Sequence, residues 1–297
     1  RYHSVLDSLV RNSGAWPNLS VFIIIINNIK KLLHRVRAKM MGSEKMNSVL
    51  IRKIKSLIVR IRYSMLTKEE SECDFWEKEI EDIVSWACGD IELWGNRLHD
   101  DFLIDSSKDV PNLIEQSLML WLEKYQMPKY LSDLHMVGSN FTGKTVVDIG
   151  SGPFPSMAVL NKCNILSLDP LINDYRKMGY MINVPNNTYL QCDSENICLP
   201  DNSVDLIVSV NALDHVNDFE KTCLEMKRIL KPSGKIKLHL HYHPSTKSEP
   251  IELTDERVLA AIGRDLKMIK ISESRKKYGY SLPSDQNELF VLWSNFE

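Results

Sequence analysis

Thr145-Val-Val-Asp-Ile-Gly-Ser-Gly-Pro-Phe-Pro155 decides how the rest of the chain is read. Val146 and Val147 suit the middle of a buried parallel strand. Asp148, Gly150 and Gly152 follow as a tight turn, and Ser156 to Lys162 can open a helix. Glycines let a ligand reach the backbone, and a helix start offers unpaired N–H groups. A strand, turn and helix in this order therefore suit a nucleotide.

Downstream, strands and helices alternate. The pattern predicts strands at 145–149, 164–169, 188–192, 204–210, 235–242, 266–273 and 288–295, and helices at 155–162, 171–179, 218–230 and 254–263. Such alternation implies an α/β, Rossmann-like sheet, mostly parallel, with helices on both faces. The last two strands are joined by Ser274 to Asn287 without a helix, which favours an antiparallel hairpin at the edge of a seven-stranded sheet.

Upstream, the chain reads as an α-helical extension. Ile29, Leu32, Leu33, Val36 and Met40 keep helical spacing, as do Leu50, Ile54, Leu57, Ile61 and Met65, with Lys and Arg around both stripes. Residues 1–66 carry 13 Lys/Arg against 2 Asp/Glu, and residues 67–297 carry 24 against 37. The basic end suits an anionic membrane surface, an acidic partner, dimerisation through residues 28–66, or a solvated helix face. Thr67-Lys-Glu-Glu70 can act as a capping box. Trp76, Trp86, Trp94 and Arg97 then suit either a pocket wall that binds substrate or core anchors. Asp109 and Pro111 start a helix over Asn112 to Tyr125, with Leu113, Ile114, Leu118, Trp121 and Leu122 facing inward. Three regions follow: a basic helical extension (1–66), a helical cap or lid (67–139) and a nucleotide-binding domain (140–297).

Six cysteines show no C-x-x-C pairing, which suits a reducing, cytoplasmic compartment. Val21-Phe-Ile-Ile-Ile-Ile26 is far short of the roughly 20 apolar residues that span a bilayer. The chain begins with Arg1, so a targeting segment ahead of it stays an open alternative.

Asp169 closes the second strand, 21 residues after Asp148, where an acid can accept both hydroxyls of a ribose. Asp193 follows the third strand and can accept a hydrogen bond from an adenine amino group. Either alone also reads as a turn-forming Asp.

Together these residues resemble a class I S-adenosylmethionine-dependent methyltransferase over roughly 140–297. Val147-Asp-Ile-Gly-Ser-Gly152 resembles the family's first motif, Leu168-Asp169 its ribose acid and Gln191-Cys-Asp193 its adenine loop. Leu199-Pro-Asp-Asn-Ser-Val-Asp-Leu-Ile207 resembles the run into its fourth strand, and Lys227-Arg-Ile-Leu-Lys-Pro-Ser-Gly234 its late helix-to-strand turn. The resemblance implies S-adenosyl-L-methionine as cofactor, bound by Asp148, Gly150, Ser151, Gly152, Pro153, Asp169, Pro170, Asp193, Ser194, Glu195 and Asn211. Pro153-Phe154-Pro155 stands where many members have a third glycine, and it also fits poorly with a dinucleotide. Phe75-Trp76-Glu77, Trp94 to Arg97, Asn211-Ala-Leu-Asp-His-Val216 and Glu249-Pro-Ile-Glu-Leu253 look like a bacterial group that modifies sugars and surface polysaccharides. That implies a small-molecule or glycan hydroxyl as acceptor.

Methyl transfer to a hydroxyl needs alignment and removal of one proton. His215, at the C-terminal edge of the fourth strand, is the first choice as general base, with Asp214 either orienting it or contacting the acceptor; both residues otherwise cap the next helix. His239, His241 and His243 alternate along the fifth strand. His241 and His243 are alternates to His215, and His239 reads as packed. No carboxylate or Cys completes a ligand set beside them, so no metal is expected. A nucleic-acid acceptor is disfavoured by the acidic catalytic half, and no Asn-Pro-Pro-Tyr or Pro-Cys follows the fourth strand. The competing reading is a membrane- or partner-docked module that keeps the fold without turnover.

Overall fold

The computed structural model describes residues 66–93, 97–106, 112–134, 136, 141–160 and 162–263, and the backbone of 267–294 apart from 275, 278–279 and 282–286. The basic helices expected within 28–65, and Trp94, lie outside the described residues. The chain forms two compact units, Arg1–Ser71 and Glu72–Glu297. Among the described residues no helix is long and apolar enough to cross a membrane.

The parallel sheet is built from β1 (Thr145–Ile149), β2 (Asn164–Leu168), β3 (Asn187–Leu190), β4 (Val204–Val210) and β5 (Leu230–Tyr242), in the order β3-β2-β1-β4-β5. β6 (Lys267–Ser274), β7 (Lys276–Lys277), β8 (Tyr280–Ser281) and β9 (Asn287–Ser294) follow. The backbone of β9 runs antiparallel along β5, and β6 runs antiparallel along β9. The expected seven-stranded sheet therefore resolves into five parallel strands, which carry the methyltransferase-like fold, and an antiparallel pair laid along the β5 edge. β1 and β4 are neighbours although two strands separate them in sequence. Ligands collect at the C-terminal ends of strands at such a switch point.

The central strands β1 and β4 are buried on both faces, as their largely apolar sequences require, whereas the edge strand β3 is partly exposed. Val147, Ile149, Ile207 and Leu238 pack with α5 (Phe219–Ile229) and α6 (Asp255–Ile262) through Phe219, Met226, Val258 and Ile262. Val146, Ile165, Leu206 and Val208 pack on the other side with Tyr130, Leu134 and Met157. Adjacent residues of β1 thus serve opposite layers, as the period of a strand dictates. Asp218 caps α5 by accepting the Lys221 N–H at 2.9 Å, and Thr254 caps α6 through Arg257 at 3.2 Å.

The helical cap comprises α1 (Lys68–Ala87), α2 (Leu113–Trp121), a π-helical turn (Leu122–Gln126), α3 (Met127–Asp133) and, between β2 and β3, α4 (Ile172–Met178) lies beside it. The capping box forms: Glu70 N–H donates to Thr67 Oγ1 at 3.1 Å, and Thr67 N–H to Glu70 Oε2 at 2.7 Å. Ile80, Ile83, Trp86, Leu118, Trp121 and Leu122 make the cap's core. Trp86 is therefore a core anchor rather than a pocket wall. Ile114, expected inward, is 44% exposed in the first turn of α2, which the chain enters from a left-handed Asn112 (φ 56°).

The glycine turn does not lead into the expected helix over 155–162. Ser156–Val159 is a single 3-10 turn ending at Leu160. Pro155 holds a non-helical ψ of 61°, and Gly152 and Phe154, each followed by a proline, are steered away from the helical region. Between Pro153 and Pro155, Phe154 is 1% exposed, 5.3 Å from the Trp76 ring and 5.1 Å from Trp121. Phe154 thus packs the cap against the turn.

Candidate functional site

Two elements build the site at the β1–β4 switch point. After β1, Gly150 (φ 69°) and Gly152 (φ 62°) adopt left-handed conformations that side chains disfavour. A Cβ on Gly150 would overlap Ala212 Cβ, and one on Gly152 would stand 2.7 Å from the Trp76 indole. After β4, Asn211 is left-handed too (φ 52°) and sends the chain into Ala212 to His215.

The acids lie as the sequence order implies, with different surroundings. Asp169 accepts the Gly152 N–H at 3.0 Å and the Leu171 N–H at 2.8 Å, one on each oxygen. Burial pushes its carboxyl up to about 6 against those two hydrogen bonds, with Glu72 adding to the rise. A carboxylate has about four acceptor sites, so Asp169 keeps capacity for ribose hydroxyls. Asp148 is fully buried and neither of its oxygens has a partner among the described residues. Burial, then Asp169, holds its carboxyl well above the ordinary range. Asn211 Oδ1 is likewise a buried acceptor without a partner among the described residues. Orphaned acceptors beside a glycine turn fit a ligand rich in N–H and O–H donors, as an adenosyl amino acid is.

Other expected contacts are used differently. Glu195 accepts the N–H groups of Asn217 (2.7 Å) and Asp218 (3.0 Å), and so braces the loop into α5. Burial opposes the ionised form, yet these bonds hold its carboxyl below the usual value. Ser194 is 3.1 Å from Thr222 Oγ1, and Ser151 donates to the Gly152 carbonyl at 3.1 Å. The Pro153 carbonyl accepts the Tyr189 hydroxyl at 3.3 Å. Asp193, Pro170 and Arg97 are exposed.

His215 and Asp214 sit with two acids that sequence spacing did not bring to them. Glu72, on α1, accepts the Trp76 Nε1–H at 3.0 Å and is 3.5 Å from His215 Nδ1. Glu249 is 3.8 Å from both His215 Nε2 and His243 Nε2. Its loop is tied down where the Ile251 N–H donates to the Asp214 carbonyl at 3.1 Å. Burial pulls the His215 imidazole down, but Glu72, Asp214 and Glu249 more than offset it and leave it raised. His243 Nε2 is 2.9 Å from Asp214 Oδ2, which, outweighing burial, lifts that imidazole to about 9. His239 is buried, 3.4 Å from Asp133, and belongs to the core as expected. The local signal for Glu72 was its i, i+4 spacing to Trp76 on one helix face; nothing local marked its meeting with His215.

Residues 147–238 match the family described as a methyltransferase domain. The match spans about a third of the chain, and over it the chain is similar to class I methyltransferases. Its methyl donor is S-adenosyl-L-methionine. The chain is 33% identical to an uncharacterized methyltransferase of Mycobacteroides abscessus over 105 residues, 33% of this chain and 39% of that protein. It is 28% identical to the probable tRNA methyltransferase 9B of Mus musculus over 144 residues, 46% of this chain and 30% of that one. The chain thus spans under two fifths of the length of these relatives. Among solved structures, a putative S-adenosylmethionine-dependent methyltransferase from Listeria monocytogenes aligns at TM-score 0.45 and 14% identity, covering 57% of this chain and 99% of that one. A Haemonchus contortus phosphoethanolamine N-methyltransferase aligns at 0.47 and 15%, covering 57% and 53%.

Proposed function

We propose that the chain transfers a methyl group from S-adenosyl-L-methionine to a hydroxyl of a small-molecule or glycan acceptor, a sugar being favoured. The bound donor supplies a sulfonium-activated methyl. Asp169 accepts the ribose hydroxyls, Asp193 the adenine amino group, and the glycine turn admits the donor to the backbone. His215 takes the acceptor proton, and Glu72 stabilises the imidazolium so formed.

The observation that carries this reading is the accessibility of His215. Its side chain is 27% exposed at the switch point, whereas those of its neighbours Asp214 and His243 are 1% and 3% exposed. An acceptor can reach His215, together with Glu72 and Glu249, but not Asp214 or His243. Trp76 and Arg97 supply an aromatic face and a cation of the kind that sugars use.

The test has two arms. Calorimetry reads donor binding, expected in about the micromolar range. Mass spectrometry of hydroxyl-bearing sugars incubated with labelled donor reads the acceptor. His215→Ala is expected to keep donor affinity and lose transfer. Full transfer by that variant would remove His215 as base, and methylation at nitrogen or carbon alone would overturn the hydroxyl reading.

A further inference from the structure

The strand histidines had no carboxylate near them in sequence; the fold supplies two. The ligand-capable atoms of Asp214, His241 and His243 all lie within 4.8 Å of one another. Those of Asp214 and Glu249 are equally close, and His243 Nε2 is 3.8 Å from Glu249 Oε2. A first-row divalent ion with bonds of about 2.0–2.2 Å holds neighbouring ligand atoms roughly 3–3.5 Å apart. Asp214, His241 and His243 therefore need to close by about 2 Å at most, and Glu249 stands within the same reach of Asp214.

The hydrogen bonding of His243 points the same way. Its Nδ1 is 2.7 Å from the Pro244 carbonyl, an acceptor only, so Nδ1 carries the proton and donates it. Nε2 then faces Asp214 Oδ2 at 2.9 Å. Two acceptors so close need a second proton or a cation between them. A ring that donates one N–H to a backbone carbonyl while its other nitrogen faces a carboxylate-lined gap is the usual arrangement of a metal-bound histidine. Asp214 and His243 are 1% and 6% exposed, so the gap is closed behind and opens toward His215 and Glu249.

We propose that Asp214, His241, His243 and Glu249 bind one divalent first-row transition ion, of the Zn2+ or Mn2+ kind. Two imidazoles and two carboxylates without a thiolate suit that class over Mg2+ or Ca2+, which take oxygen alone. The two carboxylates balance the ion's charge. Its role, polarising the acceptor oxygen beside His215, rests on the hydroxyl reading above; its binding does not.

The full chain is stripped with chelator and titrated with Zn2+ or Mn2+ by calorimetry, in parallel with S-adenosyl-L-methionine. One saturable ion per chain is expected. His243→Ala and Asp214→Asn should each weaken it tenfold or more while donor binding persists, and His99→Ala, a surface histidine, should leave it unchanged. Donor binding reports folding and fails separately if the methyltransferase reading is wrong. Pulsed EPR of the Cu2+-loaded wild-type chain reads coordinated imidazole without any variant. Absence of saturable binding, binding that survives both ligand variants, or no imidazole nitrogen in the Cu2+ spectrum overturns the proposal.

Discussion

The Trp76 indole rests on Gly152 so closely that a Cβ there would stand 2.7 Å from the ring. Gly152→Ala therefore meets two penalties. The left-handed backbone (φ 62°) costs a non-glycine residue about 1–2 kcal/mol, and the ring clash adds to it. Trp76→Ala removes the second penalty and leaves the first. Urea unfolding of both single variants and the double is expected to show Gly152→Ala costing less in the Trp76→Ala background. Equal costs in both backgrounds would mean that the ring yields freely.

Asp169 makes donor affinity pH-dependent. Its carboxyl sits at about 6, raised by burial, while its backbone bonds to Leu171 and Gly152 and the nearby His215 pull the other way. Glu72 faces it from α1, and Cys73, Asp148 and Tyr175 feel its charge. Ribose hydroxyls bind the ionised form, so affinity should hold above pH 6 and fall up to tenfold per unit below it. Asp169→Asn should flatten that profile and weaken binding by about 1.5–3 kcal/mol, ten- to a hundredfold or more in Kd. Calorimetry from pH 5 to 8 decides; an unchanged Kd across that range would take Asp169 out of the donor site.

The same chemistry explains what the sequence made legible. β1, β2 and β4 read clearly because buried parallel strands are short, largely apolar runs bounded by polar turn residues. The glycines and Asp169 stand at ends of those strands, so finding the strands found them. Glu72 and Glu249 were not legible, because 142 residues separate Glu72 from Asp214 and 35 separate Asp214 from Glu249. Their convergence is set by cap packing and by the Ile251 N–H on the Asp214 carbonyl. The 3-10 turn at Ser156–Val159 was not legible, because a proline just ahead of it suits the start of a full helix as well as that of a single turn.

Asp148 couples stability to alkaline pH. A carboxyl held well above its ordinary range by burial favours the native state while protonated. That contribution is complete at pH below the unfolded carboxylate value and is lost as pH rises through the raised one. Asp148→Asn mimics the protonated form. Its Tm should fall less than that of the wild type between pH 6 and 9, with the two close at the acid end. Parallel curves across the range would show that the carboxyl ionises without cost in the native state.

Phe154 is the remaining test of how cap and turn act together. It is 1% exposed and in ring contact with Trp76 and Trp121, so Phe154→Ala opens a cavity between the cap's core and the glycine turn. A buried Phe→Ala change costs about 3–5 kcal/mol. Phe154→Leu keeps most of the volume and should cost about half of that or less. Because Trp76 lies on Gly152 and holds Glu72 by its Nε1–H, loosening Phe154 should also loosen Glu72 from His215. At a temperature where both variants are folded, Phe154→Leu is expected to bind donor nearly as well as the wild type and to turn over more slowly. Equal turnover in Phe154→Leu and wild type would show that the cap's packing on the turn serves stability alone.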